Sequence, residues 1–214
     1  NLMIKKVSEN DTALTIEGIE YKLSGISNYG TVYDETVKTG SSGSAIFSDV
    51  ELGTYTLQEY KATKDWLLDA TTRVVTIDKS SNVIVDGTNY TNKELVLSDK
   101  PRIHTDIKFK KSELGNSFAK VSGAVFKLYG TSDYGTDIVK FATSNSDGEV
   151  KFDDVEKGRY AIKEIALENQ RYVPNKELTV NILVDEFGKY SISSDNSEYY
   201  KNETVFNEHR YNGF

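Results

Sequence analysis

Short runs in which apolar and polar residues alternate recur along most of the chain: LMIKK from Leu2, IEYKL from Ile19, SAIFSDV from Ser44, TYTLQEY from Thr54, TRVVTI from Thr72, NVIVDG from Asn82 and ELVLSD from Glu94. A period of two places alternate side chains on opposite faces of an extended strand, and Gly, Asn, Asp and Ser punctuate the runs as turns. No stretch holds the 3.6-residue period of an amphipathic helix. The pattern predicts an all-β chain of short strands, each with one face turned to a core.

The runs also repeat. Shifted by 105 positions, residues 4–59 fall on residues 109–164 without a gap, and 19 of those 56 positions are identical. Among them are Lys6/Lys111, Gly18/Gly123, Gly43/Gly148, Gly53/Gly158, Tyr55/Tyr160 and Glu59/Glu164. A period of this length is that of a whole β-sandwich and too long for a solenoid unit. The reading is two tandem domains of seven or so strands each, 1–103 and 104–214, with Pro101 ending the last strand of the first.

Three polar positions break the alternation in both copies. Leu2, Ile4 and Lys6 share the inward phase of the first strand, as do Ile107, Phe109 and Lys111. Tyr55, Leu57 and Glu59 share a face, as do Tyr160, Ile162 and Glu164. The last strand ends in the same phase on Asp99 after Leu95 and Leu97, and on Asn207 after Val205, with Asn92 a further acceptor candidate in the first copy. A buried amine or carboxyl is costly unless it is paired or neutralised. Each copy therefore offers an amine, an acid and an acyl acceptor to one interior.

Composition narrows the alternatives. The 214 residues carry a formal charge of -7, which disfavours contact with a phosphate backbone, so no nucleic-acid partner is expected. There is no cysteine, and His104 and His209, read as lying just after the last strand of each domain, are the only imidazoles. Disulfides and thiolate metal sites are excluded; no metal or other cofactor is expected. No apolar run reaches the length of a membrane span, so no membrane contact is expected of this segment. A Ser/His/Asp triad has no supporting elbow motif, and Asp153 and Asp154, read as a turn with side chains on opposite faces, do not suggest a glycosidase pair.

With these residues in place, the chain resembles the CnaB-type (collagen-adhesin B-type, or SpaA-like) domains of Gram-positive surface adhesins and pilins. The resemblance runs in the first copy from Lys6 through GIEYKL at Gly18 and GTYTLQE at Gly53 to Asp99-Lys100-Pro101. In the second it runs through GAVFKL at Gly123, the Asp147-Gly148 turn, FDDVEKG at Phe152 and YAIKE at Tyr160 to Val205-Phe206-Asn207. It implies two immunoglobulin-like β-sandwiches. It also implies an intramolecular isopeptide bond in each, Lys6 to Asp99 assisted by Glu59 and Lys111 to Asn207 assisted by Glu164. Burial would leave the amine neutral and nucleophilic, and a protonated glutamate would polarise the acceptor carbonyl and shuttle protons.

The function so implied is a non-enzymatic stalk or pilin subunit, outside the cell on a bacterial surface, anchored to the wall or built into a pilus. Its only chemistry is a single autocatalytic turnover on itself. Its partners would be neighbouring domains or pilin subunits of the same assembly. The alternative is an adhesin domain that contacts host extracellular matrix or carbohydrate directly through aromatics such as Tyr199, Tyr200 and Tyr211.

Overall fold

A computed structural model describes residues 1–210 of the chain. The described residues contain strands and turns and no helix. The chain divides into two compact units, Asn1–Arg102 and Ile103–Phe214.

In the first unit, β1 (Leu2–Ser8), β4 (Ser44–Phe47) and β9 (Glu94–Asp99) form a three-stranded sheet in the order β4-β1-β9. The facing sheet has six strands: β2 (Glu20–Ser27), β3 (Val32–Lys38), β5 (Gly53–Lys61), β6 (Thr72–Ile77), β7 (Val83–Val85) and β8 (Thr88–Asn89), ordered β3-β2-β5-β6-β7-β8. Leu2, Ile4, Phe47, Leu95 and Leu97 of the first sheet pack on Tyr21, Leu23, Tyr55, Leu57 and Val75 of the second. The alternation read from the sequence is thus the inward and outward alternation of a two-layer sandwich. β1 and β9, the first and last strands, run parallel with Lys6 opposite Leu97 and Ser8 opposite Asp99.

The second unit repeats the plan. β10 (His104–Glu113) pairs with β11 (Asn116–Lys120), with β14 (Glu149–Glu156) and, in parallel, with β19 (Thr204–Asn207), whose outer edge carries β18 (Tyr200–Lys201). The facing sheet has the order β13-β12-β15-β16-β17, from β12 (Ala124–Thr131), β13 (Asp137–Thr143), β15 (Gly158–Leu167), β16 (Thr179–Val184) and β17 (Tyr190–Ser193). Lys111 stands opposite Val205, and Glu113 opposite Asn207. The shared tyrosines make the same corner in both units: the Tyr55 hydroxyl donates to Glu51 O at 2.8 Å and that of Tyr160 to Glu156 O at 2.7 Å.

Three expectations need correction. Among the described residues the units hold nine and ten strands, more than the seven or so the alternation picks out. The extra strands include β3, an edge strand in which only Tyr33 and Val37 turn partly onto the core. Asp153 and Asp154 lie within β14, not in a turn, and both are exposed. A bulge facing Thr105–Ile107, with Asp154 at φ 54°, turns the two side chains to the same solvent side. His104 begins β10, paired with Glu156, so it opens the second unit and does not trail the first.

Candidate functional site

Each interior holds a lysine, a glutamate and an acceptor at one level of the sandwich. Lys6 and Lys111 are 0% exposed, and Glu59, Glu164, Asp99 and Asn207 are also buried. The acceptor lies two residues beyond the lysine's parallel partner, Asp99 past Leu97 and Asn207 past Val205. That offset keeps it on the lysine's face of the sheet. The glutamate comes from the facing sheet, where Glu59 on β5 stands opposite Tyr21 on β2, and Glu164 on β15 opposite Phe126 on β12.

In the first unit Lys6 Nζ donates to Glu59 Oε2 at 2.6 Å and lies 2.5 Å from Asp99 Oδ1. Burial pushes the Asp99 carboxyl up to about 6, although Lys6 pulls it the other way. A carboxylate taken out of water beside a second carboxyl group is expensive, and protonation removes that cost. Glu59 is held further by the Asp69 N–H on Oε1 at 3.3 Å and the Tyr21 hydroxyl on Oε2 at 3.5 Å.

In the second unit Lys111 Nζ donates to Asn207 Oδ1 in a short contact and lies 3.5 Å from Glu164 Oε2. Asn207 Nδ2 donates to Glu164 Oε1 at 3.0 Å, closing the triangle. Burial pushes the Lys111 ammonium down to about 8, against the attraction of the Glu164 carboxylate. About a tenth of this amine is therefore neutral at pH 7, with a free lone pair, against a negligible fraction at its ordinary value.

Two supports of the trios carry little signal in an alternation pattern. The first is Gly43/Gly148. The lysine N–H donates to this glycine's carbonyl, at 2.8 Å from Lys6 and 2.6 Å from Lys111. A Cβ on Gly43 would stand 2.5 Å from Lys6 O, and one on Gly148 closer still to Lys111 O. With φ at +75° and +67°, both positions require glycine. They are visible in the sequence as repeat identities without a role.

The second support is a strap after the glutamate strand. It runs back along the chain leaving the last strand, with bridges Trp66–Pro101 and Tyr172–His209 each two residues past the acceptor. Leu67 N donates to Lys100 O and Arg102 N to Asp65 O at 2.9 and 2.7 Å. Val173 N to Glu208 O and Arg210 N to Arg171 O repeat the pattern at 2.9 and 2.7 Å. These are backbone bonds, so side-chain identity barely marks them; in both straps the bridging residue is aromatic, Trp66 and Tyr172.

Other candidates lie elsewhere. Asn92 is exposed in the turn before β9, outside the trio. Tyr199 and Tyr200 are half-buried against the second core, and Tyr211 lies outside the described residues. A groove of about 600 Å³ lined by Pro174, Glu177, Asp195, Tyr199 and Glu208, among others, contains none of the trio. Among the described residues no cluster of His, Asp or Glu could hold a metal ion.

A family model described as SpaA, a prealbumin-like fold domain, matches residues 1–91 and again 105–198. No curated protein matches the chain. Among solved structures it is similar to a streptococcal ancillary pilin, at 16% identity and TM-score 0.47, over 98% of this chain and 62% of that one. It is also similar to the pilus adhesin SpaC from Lactobacillus rhamnosus GG in its open conformation, at 17% identity and TM-score 0.46, over 96% of this chain and 30% of that one. A mutant of the shaft pilin SpaA from the same organism matches at 9% identity and TM-score 0.49, over 98% and 97% of the two chains. The chain thus spans less than two thirds of the length of the ancillary pilin and of the adhesin.

Proposed function

The chain belongs to the SpaA prealbumin-like fold family, and on that premise we propose that it is a structural stalk or pilin segment of a Gram-positive cell surface, each domain locked by an intramolecular isopeptide bond. The observation that carries this reading is the twofold occurrence of one arrangement: a fully buried lysine, an acceptor on the parallel neighbouring strand and a glutamate from the facing sheet. A lone buried lysine is a liability to a fold. Two at the same register, each against an acyl group, fit a bond-forming purpose.

The neutral lysine amine attacks the acceptor carbonyl carbon, and the glutamate takes the proton released from nitrogen and delivers it to the leaving group. In the first domain the C–O bond of protonated Asp99 breaks and water leaves. In the second the C–N bond of Asn207 breaks and ammonia leaves. Folding supplies the proximity, worth about 7–11 kcal/mol of barrier in favourable intramolecular cases. Nothing is turned over, so the chain acts as a tether and not as an enzyme. Its partners would be adjoining domains or pilin subunits of the same extracellular assembly.

The test is the intact mass of the denatured chain, since a covalent change survives denaturation. Both bonds together remove about 18 plus about 17 mass units, roughly 35 below the sequence mass. Peptide mapping should recover Lys6 joined to Asp99 and Lys111 joined to Asn207. An unshifted mass overturns the proposal.

A further inference from the structure

The chain enters the two domains by the same path. Asn1 Oδ1 accepts from the Asp49 N–H at 3.2 Å, and Asp106 Oδ1 from the Asp154 N–H at 3.0 Å. Asp49 and Asp154 both stand at φ 54°, at the head of the segments DVELG and DVEKG, which differ at one residue. In the second domain the pairing continues past this point, with Thr105 opposite Val155 and His104 opposite Glu156 on β14. In the first, β4 ends at Phe47, so Val50 and Glu51, the counterparts of Val155 and Glu156, have no strand partner.

Two further bonds hold the backbone of Ile103 in the second domain. The Ile103 N–H donates to the Tyr134 hydroxyl at 2.9 Å, and the Lys157 N–H donates to Ile103 O at 2.7 Å. Both holding groups have counterparts in the first domain. Tyr29 sits in the same turn as Tyr134, its N–H donating to Ser27 Oγ at 3.1 Å as that of Tyr134 does to Ser132 Oγ at 3.3 Å. Leu52 takes the place of Lys157: its carbonyl accepts from the Asn28 N–H at 2.8 Å, as Lys157 O does from the Asp133 N–H at 2.9 Å. Tyr134 is half-buried, but Tyr29 is 72% exposed, and neither its hydroxyl nor the Leu52 N–H has a partner among the described residues. The flanks of the turn differ too. Ile26 and Val32, opposite each other, are 62% and 72% exposed, where the second domain has Thr131 donating to Asp137 at 2.8 Å.

We propose that this end of the first domain is a docking site for an extended peptide segment running into Asn1, held through its backbone by Tyr29 and Leu52 as the second domain holds Ile103. One acceptor and one donor are what the N–H and C=O of a single extended residue require. By the 105-residue offset that residue is the third ahead of Asn1. The shared course of the chain at Asn1 and Asp106 aims such a segment at the two groups. Exposed Ile26 and Val32 beside the turn suit apolar side chains on it. The same pair of groups then clamps the chain entering β1 and the chain entering β10, independently of either isopeptide bond.

The test adds to the full chain, directly ahead of Asn1, a copy of the protein's own entering segment, residues 100–105, and follows amide hydrogen exchange. In the unextended chain the Leu52 amide should be about tenfold less protected than that of Lys157, as the lack of one hydrogen bond implies. The extension should raise Leu52 protection by about the same factor. Tyr29→Phe removes the acceptor from an exposed ring without touching the core, and should lower that gain severalfold. Proline in place of the copied isoleucine, which has no N–H to donate, should do the same. Leu52 left unprotected by the extension overturns the proposal, as does a gain undiminished by Tyr29→Phe or by the proline. Protection that rises with protein concentration in the unextended chain assigns the site to a second copy and overturns it as well.

Discussion

The first domain brings two carboxyl groups to its buried lysine; the second brings one carboxyl and a neutral amide. The register is the same in both, with the acceptor two residues past the lysine's partner. Burial nevertheless acts on different members. With two acids against one ammonium the surplus acid is neutralised, and Asp99 is pushed up to about 6. With an amide as acceptor the strain falls on the amine, and Lys111 is pushed down to about 8. Changing one acceptor atom on a fixed backbone thus changes which group pays the desolvation cost.

The largest expected effect comes from removing the proton carrier. Glu59→Gln and Glu164→Gln keep the size of the side chain but cannot shuttle a proton, and each should slow closure of its own domain by about 10²-fold or more. Glu59→Gln should leave only the loss of about 17 mass units, and Glu164→Gln only that of about 18. Glu164 is hydrogen-bonded to the nitrogen that must leave, which places it to deliver the proton there. Full closure in either variant would show that the glutamate is only structural.

Next in size is the mechanical consequence. Each bond closes a loop of about 95 residues, for which the chain-entropy model of cross-links gives about 4–5 kcal/mol of stabilisation. Lys6→Met and Lys111→Met, made one at a time, should each lower the denaturant midpoint of one domain only. In single-molecule pulling, each should release roughly 300 Å of chain that the linked domain withholds, at about 3.3–3.6 Å per residue. An unmodified chain that already extends by that length would break the tether reading for both domains at once.

The sandwich and the positions of the trio residues were legible because they rest on period-two alternation and on a repeat long enough to count. Lys6 and Lys111 stand out as charges in an apolar phase. β3 was not legible, since in this edge strand only Tyr33 and Val37 turn partly inward, too sparse an alternation to stand out among exposed neighbours. Asp153 and Asp154 misled because a bulge suspends the alternation that locates side chains. The straps are backbone pairings, which leave almost no mark on side-chain identity. Tyr21 and Phe126 read alike as buried aromatics; the hydroxyl that separates them gains meaning only once Glu59 is found opposite.

The smallest effect, and the sharpest discriminator between the domains, is the pH dependence of closure. In the first the acceptor is itself an acid, so external pH acts on closure through Asp99. Only the neutral acid yields to an amine, and its fraction falls about tenfold per unit above its pKa. Closure should therefore be fastest below about 6 and fall as pH rises. In the second the acceptor does not titrate, and closure should climb with the neutral fraction of Lys111 and level off above about 8. Stability before closure follows the same signs. A carboxyl raised from 3.8 to about 6 stabilises the folded first domain at low pH and loses that contribution as pH rises through 6. An amine lowered from 10.5 to about 8 leaves the unfolded chain holding the extra proton between those values, so the second domain gains stability as pH rises across them. Refolding at a series of pH values from 5 to 9, with acid quench and peptide mapping, should find the first bond leading at the acid end and the second at the alkaline end. Parallel profiles would mean that the two acceptors, despite their different chemistry, are governed by one shared titration.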